Sequence, residues 1–275
     1  KNRVYVSANY YNKNTDRLLF DVAFPAYTGF SQVKSNIAGV RNNGYEVSVD
    51  AHLFPRQNDF TLQISTGISQ NTNVITKLPN NNRDYISGSY GYTVGKPGPL
   101  FNGLIYEGPL KSMDDLAVNP FTGEKISLSK GGIWGSVAPG YPIFKDVSGD
   151  YLVSDNADQD VVLANYDPNP KLSGHLNITV GYKDWQLRGS SYFIFGRDVY
   201  DEVSQAILNR YDGSDWAQKA MLNLADFDVW TPENVNAYYP SILPQASGVS
   251  GRYAFRSGTT MWWEDGSFWR ISDVT

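Results

Sequence analysis

Five stretches of the chain alternate apolar and polar residues with a period of two, which is the pattern of a β-strand with two different faces. Their apolar positions are Val4, Val6, Ala8 and Tyr10; Tyr45, Val47, Val49, Ala51 and Leu53; Phe60, Leu62, Ile64 and Ile68; Leu172, Leu176, Ile178 and Val180; and Trp185, Leu187, Phe193 and Phe195. A sixth stretch begins near Gly266. The pattern therefore predicts an all-β chain built on six amphipathic strands.

The length of these stretches and the spacing between them favour a membrane sheet. Each stretch has about nine to twelve residues, whereas strands of soluble domains average about five to six, and a tilted strand that crosses a bilayer needs about nine to eleven. The connections alternate between long (13–43, 71–170 and 196–265) and short (54–59 and 183–184). Tight turns on one side and long loops on the other are typical of a transmembrane β-barrel. We predict that the three long connections are extracellular loops, with a helix within 204–224.

Composition narrows the possible functions. A net charge of −5 over 275 residues argues against a nucleic-acid-binding protein. With no Cys and two His, thiolate metal sites, Cys nucleophiles and mechanisms that need several imidazoles are excluded. The aromatic share of 14%, together with 25 Gly, favours a β-rich protein over a helical enzyme.

Both ends of the sequence lie within alternating stretches. The first residues already have the pattern of a strand and not of a signal peptide, and residues 268–275 stop inside another alternating segment. We therefore expect the chain to be an internal piece of a longer protein.

Several short blocks occur together in a characteristic order. They are Tyr10–Thr15, Thr28–Phe30, Val40–Val47, Phe144–Asp150, Pro168–Lys171, Trp230–Asn234 and Glu264–Phe268. In order and spacing they resemble the SusC/RagA-type TonB-dependent transporters of Gram-negative outer membranes. The resemblance covers nearly the whole chain.

This resemblance implies part of a large antiparallel transmembrane β-barrel of roughly 22 strands, from the C-terminal half of the barrel. In that family the barrel encloses a plug and works with a SusD-like surface lipoprotein that closes it as a lid. Such pairs import oligosaccharides or peptides across the outer membrane by force transmitted through TonB. The plug and the TonB-contacting segment would lie outside residues 1–275, and six strands would need further strands to pair their open edges.

The tryptophans of the long connections are candidates for substrate binding, because flat rings stack on the apolar faces of sugars. They are Trp134, Trp216, Trp230, Trp262 and Trp263. The alternative is that these rings pack inside the loops, as large aromatic side chains mostly do. For Trp185 and Trp269 the corresponding interpretation is an aromatic belt at the lipid headgroups.

One acidic segment is similar to the first half of a calcium-binding loop. Asp146, Ser148 and Asp150 place oxygen ligands at alternate positions, and Asp155 or Asp158 could complete a site. The pattern departs from an EF-hand because Tyr151 stands where Gly is needed. A solvated turn stabilised by Asp hydrogen bonds is the alternative to a structural calcium ion.

The remaining polar residues point to no catalytic site. His52, His175, Glu46, Asp50 and Arg188 fall on the polar faces of the strands, where the interior of a barrel tolerates charge. Neither the glycine run at 131–135 nor the carboxylates at 114–115, 226 and 228 come with a fold that would make them catalytic. We therefore expect a transporter and not an enzyme. A secreted carbohydrate-binding β-sandwich is the second hypothesis and a glycoside hydrolase the third.

Overall fold

The protein is described from a computed structural model that covers residues 3–23, 29, 32–54, 59–128, 138–153, 160–164, 166–209, 227–242 and 258–275. The secondary structure is predominantly antiparallel β-sheet. None of the described helices is long and apolar enough to cross a membrane. The described chain divides into two units, which are treated separately: unit 1 comprises Lys1–Leu100, Asn165–Val199 and Asp265–Thr275, and unit 2 comprises Phe101–Ala164 and Tyr200–Glu264.

The elements follow one another in chain order as short and long strands with two helices. They are β1 (Val4–Ala23), β2 (Gln32–His52), β3 (Phe60–Lys77), α1 (Pro79–Asn82), β4 (Tyr85–Ser87), β5 (Tyr90–Tyr92), β6 (Leu100–Gly103), β7 (Tyr106–Pro109), β8 (Ser127–Leu128), β9 (Pro142–Phe144), β10 (Leu152–Val153), β11 (Val162–Ala164), β12 (Leu172–Tyr182), β13 (Trp185–Phe195), β14 (Asp198–Tyr200), α2 (Glu202–Asn209), β15 (Trp263–Asp265) and β16 (Phe268–Val274). Single 3-10 turns lie at Met113–Asp115 and Thr260–Trp262.

Unit 1 is built on one sheet of six strands in the order β1-β2-β3-β12-β13-β16. Every neighbouring pair is antiparallel, and each strand lies beside the strand of the sheet that precedes it along the chain. The predicted two-residue turn at 183–184 is confirmed, because Tyr182 pairs with Trp185 across it and Lys183 adopts a positive φ of 53°. The six predicted strands are thus all present as one meander.

The first three strands are longer than the alternation predicts, which corrects the bounds of the connection at 13–43. Strand pairing continues from Lys13 opposite Asn42 to Ala23 opposite Gln32, with register shifts between Thr15 and Phe20. The sequence loses its alternation there because polar residues stand at both faces, as at 12–16. Backbone hydrogen bonds need no apolar face, so the ladder extends where the pattern stops. The connection is therefore largely a hairpin.

Unit 2 contains short strand pairs around small hydrophobic clusters. β7 pairs antiparallel with β9, β8 pairs parallel with β10, and residues 101–103 of β6 pair antiparallel with β11. One core cluster holds Leu104, Phe144 and Val153, and a second holds Leu208, Tyr239, Met261 and Trp262. The predicted helix within 204–224 is present as α2 up to Asn209, and its remainder lies outside the described residues.

Candidate functional site

The apolar positions of the six long strands form one continuous face of the sheet. The register places Val6, Val49, Thr66, Leu176, Ser191 and Ile271 in one row across the strands, and Ala8, Val47, Ile68, Gly174, Phe193 and Trp269 in the next. Because a slip of one residue would turn a strand over, this alignment in every pair specifies which side is apolar.

No second layer of described residues covers this apolar face. Val47 is 36% exposed, Leu53 is 41% exposed and Ile271 is 71% exposed. In a β-sandwich these side chains would be packed against an opposing sheet. An apolar sheet face that is open over six strands is instead suited to contact with lipid.

Aromatic side chains mark both ends of the apolar face. Phe60, Tyr182 and Trp185 lie near the short turns, and Phe193, Phe195 and Trp269 lie near the opposite ends of their strands. β13 runs from Trp185 to Phe195 and, at about 3.4 Å per residue, separates these two rings by about 34 Å. A strand tilt of about 40° reduces this to about 26 Å, close to the roughly 25 Å apolar band of outer-membrane barrels. The structure therefore places Trp185 and Trp269 where membrane-interface aromatics stand.

The polar residues of the strands share the opposite face, as the alternation predicts. Glu46 stands opposite Ser69, Asp50 opposite Ser65 and His52 opposite Gln63. His175 and Arg188 lie on the same face of β12 and β13. The described groups of this face form no salt bridge with one another, because the two described ion pairs are Lys77 with Asp16 and Lys125 with Asp114. These charged side chains are therefore available to interact with water or with another protein segment inside the barrel.

A shallow trough of about 470 Å³ runs across this polar face. Small side chains line it, including Ser7, Ser48, Ser69 and Ser173. The His175 ring covers Gly67 on the neighbouring strand, where a Cβ would lie 2.6 Å from the His175 Cε1 atom. His175 thus fills the space over a glycine and meets no second imidazole, in agreement with a structural role.

A ladder of arginines and rings follows the last two strands of this face. The Arg270 guanidinium lies 5.0 Å from the Tyr192 ring centroid, Tyr192 contacts Phe268 edge-on at 5.4 Å, and the Arg197 guanidinium lies 5.6 Å from the Phe268 centroid. Cation–π contacts of this kind hold a guanidinium without neutralising it. No local sequence pattern indicates this ladder, because Arg197 and Arg270 are distant in the chain.

The tryptophans predicted to bind substrate do not form an exposed platform where they are described. Trp262 is fully buried and stacks on Tyr239 at 5.7 Å, Trp263 packs edge-on against Phe101 at 5.3 Å, and Trp230 is 9% exposed. Their burial corrects the platform assignment for these three rings in favour of loop packing. Trp134 and Trp216 lie outside the described residues, so substrate contact by them stays a prediction.

Tyrosines stabilise the same core of unit 2. Tyr106 donates its hydroxyl hydrogen bond to the Tyr238 carbonyl O at 2.6 Å, and Tyr238 donates to the Met261 carbonyl O at 2.8 Å. Burial, with a smaller contribution from the neighbouring tyrosines, raises the pKa of Tyr106 well above its ordinary range. Burial also raises the pKa of Tyr239, and Glu264 adds to this effect. These phenols stay neutral and act as hydrogen-bond donors.

The acidic segment at 146–151 is a tight turn held by its own carboxylates. Asp146 accepts hydrogen bonds from Ser148 Oγ at 3.2 Å, Gly149 N at 2.7 Å and Tyr151 N at 2.8 Å. Asp150 accepts one from the backbone N of Leu152 at 2.9 Å. This arrangement is the solvated turn that the sequence left as the alternative.

Asp160 also stabilises this turn through hydrogen bonds to its backbone. The sequence pattern did not predict this role. Asp160 is fully buried, and its Oδ1 accepts from the backbone N of Val147 at 3.0 Å and of Ser148 at 3.1 Å. Within the described ranges, no group of three or more His, Cys, Asp or Glu side chains is arranged to hold a metal ion. Asp155 and Asp158 lie outside those ranges, so calcium stays a prediction.

Long antiparallel strands with one open apolar face, aromatic rings at both ends of that face and a polar opposite face define the class. The chain is all-β and forms an open section of the wall of a β-barrel of the outer-membrane type. Its edge strands β1 and β16 have no further strand partner among the described residues.

Comparison with known proteins finds relatives among TonB-dependent receptors. The chain is 26% identical over 275 residues to TonB-dependent receptor P3 and 30% identical over 287 residues to TonB-dependent receptor P26, both from Formosa agariphila. These alignments cover 100% and 99% of the chain but 25% of each receptor. The resemblance to TonB-dependent transporters is confirmed: the chain is homologous to about a quarter of such a receptor. No family model matches the sequence.

Solved structures agree on the fold. The RagAB peptide transporter superposes with a TM-score of 0.67 at 18% identity, and the RagAB peptide importer in its open-open state with a TM-score of 0.69 at 18% identity. Each match covers 99% of this chain and 26% of the other. The fold of this chain is therefore shared with about a quarter of each of these solved structures.

Proposed function

We propose that the protein to which this chain belongs imports a nutrient across the outer membrane in a TonB-dependent manner. The observation that carries the proposal is the open apolar face of the sheet, bounded by aromatic rings, on a chain homologous to TonB-dependent receptors. The relatives bear names of receptors and of a transporter and not of enzymes. These names support a transport role without catalysis.

The nutrient is an oligosaccharide or a peptide, and a SusD-like surface lipoprotein closes the barrel as a lid. The family resemblance supports the lid, and the RagAB structures bear the name of a peptide transporter. The connections at 71–170 and 196–265 carry the short strands and the two hydrophobic clusters described for unit 2, which supports a role for them on the outer side in docking the lid and binding the nutrient.

Deletion of the encoding gene tests transport directly. Growth on the cognate oligosaccharide or peptide as the sole carbon source should be lost and should return when the gene is supplied on a plasmid. Deletion of tonB should also abolish this growth. Uptake of labelled oligosaccharide and of labelled peptide, measured side by side, distinguishes the two nutrients. Unchanged growth and uptake on every source tested would contradict the proposal.

The membrane location has its own test. The full-length protein should require detergent for extraction and should migrate differently on a gel with and without heating. A protein that is soluble in buffer and unaffected by heating would favour the carbohydrate-binding β-sandwich instead.

A further inference from the structure

The apolar face of the unit 1 sheet changes to a mostly polar surface toward the long connections. Beyond the row of Ala8, Val47 and Ile68, three further rows follow on the same face of β1, β2 and β3. They are Tyr10, Tyr45 and Gln70; Asn12, Asn43 and Thr72; and Asn14, Arg41 and Val74. Tyrosines are typical of the boundary between hydrocarbon and headgroups. The two rows beyond them, which we call the polar band, therefore lie at the level of the lipid headgroups.

Arg41 brings to the polar band a charge that no described residue neutralises. Its side chain is exposed and has no hydrogen bond or ion pair with another described residue. Its partners in the sheet, Asn14 and Val74, are uncharged. The carboxylate of Asp16 is already engaged by Lys77 at 3.2 Å. The Arg41 guanidinium is thus available to an anion that comes from outside the protein.

A notch in the sheet opens onto the same surface. The pairing of β12 with β3 ends at Ser69, and a space of about 490 Å³ lies beside the following residues of β3. This space is lined entirely by unit 1. Tyr45, Gln70 and Thr72, all on the apolar side of the sheet, contribute to its lining. The notch is therefore accessible from the side of the sheet that faces lipid.

Lys171 supplies a second cation at this notch. It is exposed, its carbon stem packs beside Gly196, and its ammonium has no hydrogen bond or ion pair with a described residue. One carboxylate, Asp167, also lines the notch. Its Oδ1 accepts hydrogen bonds from the Asn169 backbone N at 2.9 Å and the Asn169 amide at 2.8 Å. With Arg41, the two cations outweigh this one carboxylate.

We propose that Arg41, Lys171 and the polar side chains beside the notch bind the phosphorylated headgroup of a lipid in the outer leaflet. A phosphate group takes strong charge-assisted hydrogen bonds from guanidinium and ammonium groups. The Asn43 amide and the Thr72 hydroxyl add neutral donors on the same face. Basic pockets on the lipid side of membrane proteins recognise phosphorylated headgroups in this way.

The height of the two cations fits this ligand. Arg41 lies four residues beyond Tyr45 on β2, which is about 14 Å along the strand at about 3.4 Å per residue. A strand tilt of about 40° reduces this to about 10 Å along the membrane normal. The headgroup layer of one leaflet is about 5–8 Å thick, and a long arginine side chain extends back toward it. Arg41 therefore contacts the headgroup from above, and Lys171 contacts it from within the notch.

This inference goes beyond nutrient import, because it concerns the lipid side of the barrel wall and not the transport route. It requires only that the sheet lies in the outer membrane. Lipid binding is measured on purified protein without uptake. Loss of lipid binding with uptake intact counts against this inference alone, and loss of uptake with lipid binding intact counts against the proposed import alone.

The test uses the full-length protein, purified in detergent and freed of lipid. Native mass spectrometry follows the titration with lipid A, the phosphorylated glycolipid of the outer leaflet, and with the same lipid A after phosphatase treatment. Arg41→Gln and Lys171→Gln should each weaken binding of phosphorylated lipid A by about five- to tenfold. Both should leave the weaker binding of the phosphate-free form unchanged.

Lys13→Gln is the matched control. Lys13 pairs with Asn42 one position away from Arg41 along the ladder, but on the opposite face of the sheet. Its removal takes away the same charge at nearly the same height and should leave lipid A binding unchanged. A heat-modifiability gel checks that each variant forms the barrel.

Three results would overturn the inference. Phosphate-free lipid A that binds as tightly as the phosphorylated form would show that no phosphate is recognised. Equal binding by the Arg41 and Lys13 variants would show that the charge on the lipid side has no special role. Displacement of lipid A by an equal concentration of inorganic phosphate would indicate a site for the free anion and not for a lipid.

Discussion

The sheet of unit 1 and the core of unit 2 place their large aromatic side chains in opposite environments. Trp185 on the sheet is 82% exposed, whereas Trp262 in unit 2 is fully buried. Unit 2 covers its rings with its own short strands and turns, as a water-soluble domain does. Over its six paired strands the sheet leaves apolar side chains such as Ile271 uncovered by any other described residue, so its stability depends on a surrounding apolar medium. The contrast shows that one chain is adapted to two solvents.

The largest effect is expected from emptying the core of unit 2. Trp262→Ala removes a fully buried ring and should cost about 3–5 kcal/mol of local stability. Amide hydrogen exchange around residues 104–106 and 259–262 should become much faster, while exchange in β12 and β13 stays unchanged. Trp185→Ala is the control, since its exposed ring supports no internal packing. Equal exchange in both variants would show that unit 2 has no core of its own.

A charge placed on either face of β12 tests the two-solvent interpretation. Ile178→Arg puts a guanidinium in the middle of the apolar face and should cost about 2–4 kcal/mol in a lipid bilayer. Asn177→Arg, one residue away on the polar face, should be nearly neutral. The measurement is the urea midpoint of the full-length protein folded into lipid vesicles. If the two variants unfold alike, the apolar face does not contact lipid.

A smaller effect is expected where two strands approach closely. A Cβ at Gly44 would lie 2.1 Å from the Gln70 carbonyl O and 2.7 Å from the Tyr11 hydroxyl. Gly44→Ala should therefore cost about 1–3 kcal/mol by forcing the strands apart. Gly189→Ala is the matched control within the same sheet, because nothing lies within 4 Å of its added Cβ. The same urea titration checks both, and a tolerant Gly44 position would argue against the register.

The smallest effect concerns an exposed turn before β16. Hydrogen bonds from the Ser267 hydroxyl and backbone N lower the pKa of Asp265 below its ordinary value. Because the folded-state pKa is depressed, the contribution to stability is present above the unfolded pKa and is lost as the pH falls through the folded value. Ser267→Ala should raise the pKa of Asp265, measured by NMR titration of its carboxyl. An unchanged pKa would show that the hydroxyl hydrogen bond is absent.

The fold was predictable where a face had to meet an apolar medium. The alternation at Val47 and Val49 predicted that these residues lie in a strand and that both side chains point to its apolar face. It also predicted that the residues between them point to the opposite face, since a period of two has only two phases. It failed at 12–16, where both faces of the extended hairpin are polar. It also failed for Trp230, Trp262 and Trp263, because a tryptophan in an irregular segment carries no periodic signal of burial.

The sequence by itself determined the long two-faced strands, the tight turn at 183–184 and, through its short blocks, the resemblance to TonB-dependent transporters. These follow from local chemistry, because backbone geometry repeats every two residues and a turn needs only its own residues. The tertiary structure alone decided which aromatic rings pack together in unit 2, how Asp160 supports the turn at 146–151, and that the His175 ring covers Gly67 on the neighbouring strand. Such features join residues as distant in the chain as Phe101 and Trp263, and no local pattern records where those residues meet.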